Sequence, residues 1–168
     1  IKAINRFTKS FLGYGTDFGI ILEAAKEDPE CLLAQTQAAL YGSFLETNEG
    51  LVLARKHISL GRQLLIQGNG SRNEQTYFLA VESALQNNIQ KAIALHEEIA
   101  TLWPRDIFAS KLAQVHYFNM GDSKGMMRIA KKTITANKDI SYAWGLLAFA
   151  LEECNELNKA EAAGQKAC

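Results

Sequence analysis

Nine residues near the end of the chain, AWGLLAFAL at 143–151, are apolar on every side of a helix. A helix on a protein surface shows apolar residues every three or four positions and polar residues on its other face. The stretch also places the small residues Gly145, Ala148 and Ala150 among bulky ones. This pattern predicts a helix that neighbouring helices cover on most of its surface.

The remaining sequence has the same character. Ala, Leu, Glu, Lys and Gln recur throughout, and Pro29 and Pro104 are the only prolines. Short polar or glycine-containing stretches separate about ten segments of a usual helix length, roughly 10 to 18 residues. The period-two alternation of strands is absent. The chain is therefore predicted to be all-α, with short links that make neighbouring helices antiparallel.

Two helix starts can be placed from local signals. Asp28 precedes Pro29, which predicts an N-cap followed by proline at the first helical position. The residues SRNE, from Ser71 to Glu74, have the spacing of a capping box.

A period of 34 residues runs through the second half of the chain. Asn87, Gly121 and Asn155 follow one another at this spacing. The same spacing relates two further triplets: Ala80, Gln114 and Ala148, and Ala92, Met126 and Ala160. Two helices in 34 residues are the signature of tetratricopeptide repeats. The predicted fold is a right-handed α-α superhelix of about five antiparallel helix pairs, with an ordinary helix bundle as the alternative.

The predicted array covers residues 1–168 as one domain. Residues 1–70 form two irregular helix pairs, and the repeats span 73–106, 107–140 and 141–168, the last being incomplete. Such repeats place small residues at their eighth and twentieth positions, where two helices cross closely. The middle repeat departs from this pattern with Gln114 and Met126.

The stretch at 72–121, RNEQTYFLAVESALQNNIQKAIALHEEIATLWPRDIFASKLAQVHYFNMG, resembles the tetratricopeptide repeat protein 38 family. The positions that carry the resemblance are Arg72, Glu74, Ala80, Glu82, Ala92, Glu98, Pro104, Asp106, Ala109, Tyr117 and Gly121. KEDPECLLA upstream and GLLAFALEECNELNKAEAAGQKA downstream extend it over residues 20–168. Family members are longer, so the chain is interpreted as a fragment, and Gln35 stands where many members are expected to have histidine. The resemblance implies no established activity and no catalytic residue.

Charge and composition argue against several classes of function. The 18 basic and 18 acidic residues give zero net charge, which argues against nucleic-acid binding. No apolar run is long enough to span a membrane, and no leader-like basic and apolar segment is present. The three cysteines are widely spaced, so neither a disulfide framework nor a zinc pair is expected. Reduced thiols favour a cytoplasmic protein.

No motif predicts catalysis, a metal or a cofactor. HEEIA at His96 begins like a zinc-protease motif, but Ala100 replaces the second histidine. His57 and His116 are isolated from other ligand types, which favours surface or hydrogen-bonded histidines. RKHISLGR, at 55–62, is a short basic patch that is interpreted as a solvated helix face rather than an anion site.

A candidate binding surface follows from the repeat register. The first helix of each repeat should line a concave groove with an unusually aromatic strip, although other helices could cover it. The groove residues are Glu74, Tyr77, Val81, Phe108, Lys111, Val115, Phe118, Tyr142 and Phe149. Aromatic side chains on such a surface suit an extended peptide or an amphipathic helix. A carboxylate clamp for acidic tails is not expected, because Val81 and Val115 stand where it needs asparagine.

Two functions remain open. The first is a non-catalytic protein-interaction scaffold that binds a partner peptide or helix in the groove. The second is the helical-repeat part of an enzyme or small-molecule binder whose polar site lies in a C-terminal region outside this chain. An exposed C-terminal helix, NELNKAEAAGQKAC, also offers a surface for self-association.

Overall fold

The computed structural model describes residues 1–168 and is all-helical, as predicted. The number of α-helices, ten, matches the number of segments expected from the sequence. The helices are α1 Lys2–Leu12, α2 Ile20–Glu27, α3 Leu32–Phe44, α4 Asn48–Ile66, α5 Arg72–Leu85, α6 Ile89–Leu102, α7 Ile107–Asn119, α8 Ser123–Ile134, α9 Ser141–Glu153 and α10 Leu157–Gly164. A single 3-10 turn, Thr135–Asn137, follows α8.

The chain forms two compact units, Ile1–Ala92 (unit 1) and Ile93–Cys168 (unit 2), and the division falls inside α6. Each unit has its own fully buried side chains. Those of unit 1 include Phe7, Ile21 and Phe78, and those of unit 2 include Leu112 and Ile129. Burying a side chain of this size stabilises the fold by about 1.5–3 kcal/mol.

In unit 1, α3 and α4 pack against one another across a close glycine contact. A Cβ atom added to Gly42 would lie 2.7 Å from the carbonyl oxygen of Gly50 and 2.8 Å from the amide nitrogen of Ala54. Only glycine permits the two backbones to approach this closely. Gly42 and Ala54 are twelve residues apart. The same spacing separates Ala80 and Ala92, the eighth and twentieth positions of the predicted repeat at 73–106, and these two alanines are fully buried.

Left-handed residues mark three of the turns between helices. Asn87, Gly121 and Asn155 have φ of 60°, 72° and 58°. After each of them, the next amide nitrogen donates to a carbonyl oxygen five residues earlier. These bonds are Asn88 to Ser83 at 2.8 Å, Asp122 to Tyr117 at 2.9 Å and Glu156 to Leu151 at 2.9 Å. This is the Schellman end of a helix, and it recurs at the 34-residue spacing read from the sequence.

One of the two predicted helix starts is confirmed and the other is wrong. Ser71 and Glu74 form the capping box at the start of α5. Asp28 does not cap α3, which begins at Leu32 with Cys31 at its N-cap. Pro29 instead occupies a turn, in which the Cys31 amide donates to the Asp28 carbonyl oxygen at 3.2 Å. Proline suits the second position of a turn as well as the first position of a helix, so the local signal is ambiguous.

The helix α9 contains the apolar stretch AWGLLAFAL. It packs against α7, α8 and α10. Each of its residues from 143 to 151 is buried or half-buried, which confirms the predicted covering by neighbouring helices. None of the helices is both long enough and apolar enough to cross a membrane.

Candidate functional site

The nine predicted groove residues differ in their exposure. Four are buried: Tyr77, Val81, Phe108 and Lys111. Another four are half-buried: Glu74, Val115, Tyr142 and Phe149. Phe118 is the one exposed member, with 47% of its surface accessible. A partner cannot reach the buried four at the surface, so the expected strip of exposed aromatics is shorter than the pattern predicted. Spacing along a helix places residues on one face, but it does not show what packs on that face.

Phe118 and Phe149 are brought together in unit 2. Their ring centroids lie 5.4 Å apart and the rings are tilted by 46°. Phe118 belongs to the last turn of α7, and Phe149 to the second half of α9. Tilted aromatic pairs at this distance attract one another beyond the effect of burial alone. The two rings therefore form one apolar surface that is partly exposed to solvent.

The surroundings of this pair, on α9, are apolar on one side and acidic on the other. Tyr142 and Gly145 precede Phe149 at helical spacing, and Glu152 and Glu153 follow it. A Cβ atom added at Gly145 would touch only the Cβ of Ala167, at 4.0 Å, so there is room at this position. Both glutamates are exposed. We refer to the residues Phe118, Tyr142, Gly145, Phe149, Glu152 and Glu153 as the aromatic patch.

A histidine pair that the sequence analysis missed lies elsewhere in unit 2. His96 of α6 and His116 of α7 stack with ring centroids 5.8 Å apart and an angle of 24° between the rings. His96 is buried and His116 half-buried. Burial, and to a smaller extent the charge of His116, lowers the pKa of His96 to about 3. Burial also lowers the pKa of His116. Both rings are therefore neutral at neutral pH, and no local motif links residues that are 20 positions apart.

A charged network links α6, α7 and α8. The Tyr117 hydroxyl donates to Glu97 Oε1 at 2.6 Å, and Arg128 Nη2 donates to the Tyr117 oxygen at 2.7 Å. The ammonium group of Lys132 lies 3.6 Å from Glu97 Oε2. Burial and then the bond to Glu97 raise the pKa of Tyr117 to about 12. Burial acts to raise the pKa of Glu97, but the Tyr117 bond and the two cations outweigh it and lower that pKa. These hydrogen bonds and ion pairs connect the three helices.

The third histidine, His57, lies in unit 1 and is hydrogen-bonded to Gln35. His57 Nδ1 lies 2.7 Å from Gln35 Oε1, and Gln35 Nε2 donates to the carbonyl oxygens of Ala25 at 2.9 Å and Pro29 at 3.2 Å. Because the Gln35 amide nitrogen donates both of these bonds, its oxygen Oε1 accepts a hydrogen bond from the protonated Nδ1 of His57. Burial, followed by the charge of Lys56, lowers the pKa of His57. Gln35 thus ties α3 to the end of α2 and to α4, which is a structural role.

Neither histidine site is part of a larger ligand set. No group of three or more His, Cys, Asp or Glu side chains lies close enough to hold a metal ion. Cys31, Cys154 and Cys168 are free thiols. His57 is hydrogen-bonded to Gln35, and His96 and His116 stack on one another.

The buried histidine pair predicts acid sensitivity. The ordinary pKa of histidine is 6.5, and that of His96 in the folded protein is about 3. Between these two pH values, His96 is protonated in the unfolded chain and neutral in the folded chain. The stability that this group contributes is present above pH 6.5 and is lost as the pH falls towards 3, by at most about 1.4 kcal/mol per pH unit. Imidazole nitrogen NMR should show His96 neutral from pH 7.5 down to about 5. His96→Gln should lose less stability than the parent over this range, and a His96 midpoint near 6.5 would refute the assignment.

Comparison with known proteins does not assign the chain to a family. No protein-family model matches the chain, and no curated protein matches it. The resemblance to the tetratricopeptide repeat protein 38 family therefore stays a prediction.

Proposed function

We propose that this chain is a non-catalytic, tetratricopeptide-like helical-repeat module that binds a short segment of a partner protein at the aromatic patch. Support for the repeat architecture comes from the three left-handed turns at 34-residue spacing and from helices of similar length between them. In this proposal the helix pairs continue a right-handed superhelix, as in the family that the sequence resembles. The free cysteines suit a reducing compartment such as the cytoplasm.

The observation that carries the proposal is the Phe118–Phe149 contact. Binding surfaces are dominated by a few large side chains, and aromatic anchors are common among them. Phe118 is 47% exposed although its ring packs on Phe149. A partner side chain placed against both rings would remove this apolar surface from water without any change in the fold.

The border of the patch specifies the partner's chemistry. Glu152 and Glu153 are exposed and make no ion pair. They follow Phe149 by three and four residues, so they lie beside it on the helix surface. The complementary segment carries an apolar side chain for the two rings and a lysine or arginine nearby. Charge of this kind contributes mainly to specificity and to the association rate.

Peptide display on the intact protein tests this function. Selected peptides should share a bulky apolar residue with a basic residue close to it. Phe118→Ala should weaken binding of the best peptide by about 30-fold, corresponding to roughly 2 kcal/mol for a central anchor. Its melting temperature should remain close to that of the parent, because half of the side chain is already exposed.

Leu157→Ala provides the matched control, since Leu157 is an exposed apolar residue of the same unit outside the patch, with 59% of its surface accessible. It should bind the selected peptide as the parent does. Equal weakening by both substitutions, or full binding by Phe118→Ala, would remove the aromatic patch from the proposal. Unfolding by Phe118→Ala would show that the ring supports the core.

A further inference from the structure

Unit 1 contains a cavity of about 390 Å³ between one face of α4 and the end of α5. Its lining consists of Leu51, Ala54, Arg55, Ile58, Ser59, Arg62, Glu82, Leu85 and Gln86. Sites for small molecules have volumes of about 300–1,000 Å³ and combine apolar walls with a few polar groups. The cavity has both properties, and it does not involve the aromatic patch.

The apolar wall comes from three aliphatic side chains on two helices. Leu51 and Ile58 belong to α4, and Leu85 to the last turn of α5. Leu51 is 44% exposed, so part of this apolar wall is in contact with solvent. An aliphatic chain placed along these three residues would be withdrawn from water, which favours binding.

One of the two arginines in the lining is already neutralised. Arg62 Nε donates to Glu82 Oε1 at 2.8 Å, and its Nη2 group pairs with the other carboxylate oxygen. The Glu82 side chain is only 7% exposed, so this two-point pair is held within the wall. The Arg62 guanidinium also lies 5.8 Å from the centre of the Phe78 ring. These contacts fix Arg62 and leave no charge for a ligand to balance.

Arg55 supplies the remaining charge. It is exposed, lines the same cavity and makes no ion pair. The C-terminal end of α5 contributes only about half of a negative charge, which is less than the full positive charge of the guanidinium. Ser59 and Gln86 add a hydroxyl and an amide to the lining. The cavity lining therefore combines one positive charge that no carboxylate balances with apolar side chains.

We propose that this cavity binds a small amphiphilic carboxylate, with its anionic group on Arg55 and its aliphatic part against Leu51, Ile58 and Leu85. The guanidinium fork suits a carboxylate because it donates two parallel hydrogen bonds. The basic stretch at 55–62 is then divided in function. Arg62 completes the wall through Glu82, and Arg55 receives the ligand.

Titration of the intact protein with octanoate, followed by NMR, tests the proposal. Octylamine and 1-octanol have the same chain with a cation or no charge, and they should bind at least ten-fold more weakly than octanoate. Arg55→Gln should weaken octanoate binding at least ten-fold. Lys56→Gln removes a positive charge from the adjacent position of α4, outside the lining, and should bind octanoate like the parent. Circular dichroism of each variant verifies that the helices are intact.

Three results would overturn this assignment: undiminished octanoate binding by Arg55→Gln, equal binding of the three probes, or no binding of octanoate at millimolar concentration. A further arm uses a short peptide that ends in leucine with a free carboxylate. If that peptide binds through Arg55 and octanoate does not, the cavity recognises a protein terminus and the small-molecule proposal is wrong.

Discussion

Gly42→Ala is expected to destabilise unit 1 by about 3 kcal/mol, the upper end of the usual cost of overfilling a core. The new methyl group would lie less than 3 Å from two backbone atoms of α4, the Gly50 oxygen and the Ala54 nitrogen. Backbone atoms in a packed helix cannot rotate away as a flexible side chain can. The helices α3 and α4 would have to separate, and their other contacts would be lost. Chemical denaturation of the parent and the variant measures this change.

Gly19→Ala is the control for this substitution. Gly19 lies in the same unit, and a Cβ atom added there meets nothing within 4 Å. Its backbone φ of −63° is accessible to alanine. The control should therefore be neutral within about 0.5 kcal/mol. If Gly42→Ala is equally neutral, α3 and α4 do not cross at Gly42.

Gln35→Leu should destabilise unit 1 by about 3 kcal/mol or more. The buried amide of Gln35 makes two hydrogen bonds to backbone carbonyl groups and one to His57. Leucine has a similar volume but leaves two buried partners, the Ala25 carbonyl group and His57 Nδ1, without these hydrogen bonds. Each buried group without a partner costs about 1–3 kcal/mol. The free energy of unfolding from denaturant curves at pH 7.5 measures the loss.

Gln37→Leu is the matched substitution on the same helix. Gln37 is also buried, but its amide nitrogen makes a single bond, to Thr8 Oγ1 at 3.0 Å. The expected cost is about 1 kcal/mol. Equal effects of the two leucine substitutions would show that the carbonyl groups of Ala25 and Pro29 do not depend on Gln35.

Features set by neighbouring residues could be predicted from the sequence. Ten helices, the capping box at Ser71 and the apolar helix at 143–151 all follow from local spacing, and the structure has them. Asp28 and Pro29 failed as a helix start because the same dipeptide also suits a turn. Local patterns therefore locate helices better than they locate the first residue of a helix.

Contacts between distant residues could not be predicted in this way. His96 and His116, or Arg62 and Glu82, meet because two helices pack at a particular register. Burial of Tyr77 likewise depends on what covers its helix, and the helical period carries no such information. Of the candidate patch, the repeat register placed Phe118 and Phe149 on one predicted surface, and in the structure their ring centroids lie 5.4 Å apart.

Gln114 shows how a departure from a repeat pattern acquires a structural use. The repeat pattern favours a small residue there, and the sequence offers a buried glutamine instead. Its Nε2 atom donates to the carbonyl oxygen of Leu146 in α9 at 2.8 Å. A position that otherwise provides close packing provides a hydrogen bond between α7 and α9 in this chain.

The division into two units has an optical consequence. Both tryptophans of the sequence, Trp103 and Trp144, belong to unit 2. The Trp144 indole donates to the Lys138 carbonyl oxygen at 3.0 Å, and its ring lies 4.3 Å from the Lys166 ammonium group. Tryptophan emission thus reports the unfolding of unit 2 alone, whereas helical ellipticity reports both units. Coincident curves from the two signals identify a single cooperative transition, and separate curves resolve the stability of each unit without cutting the chain.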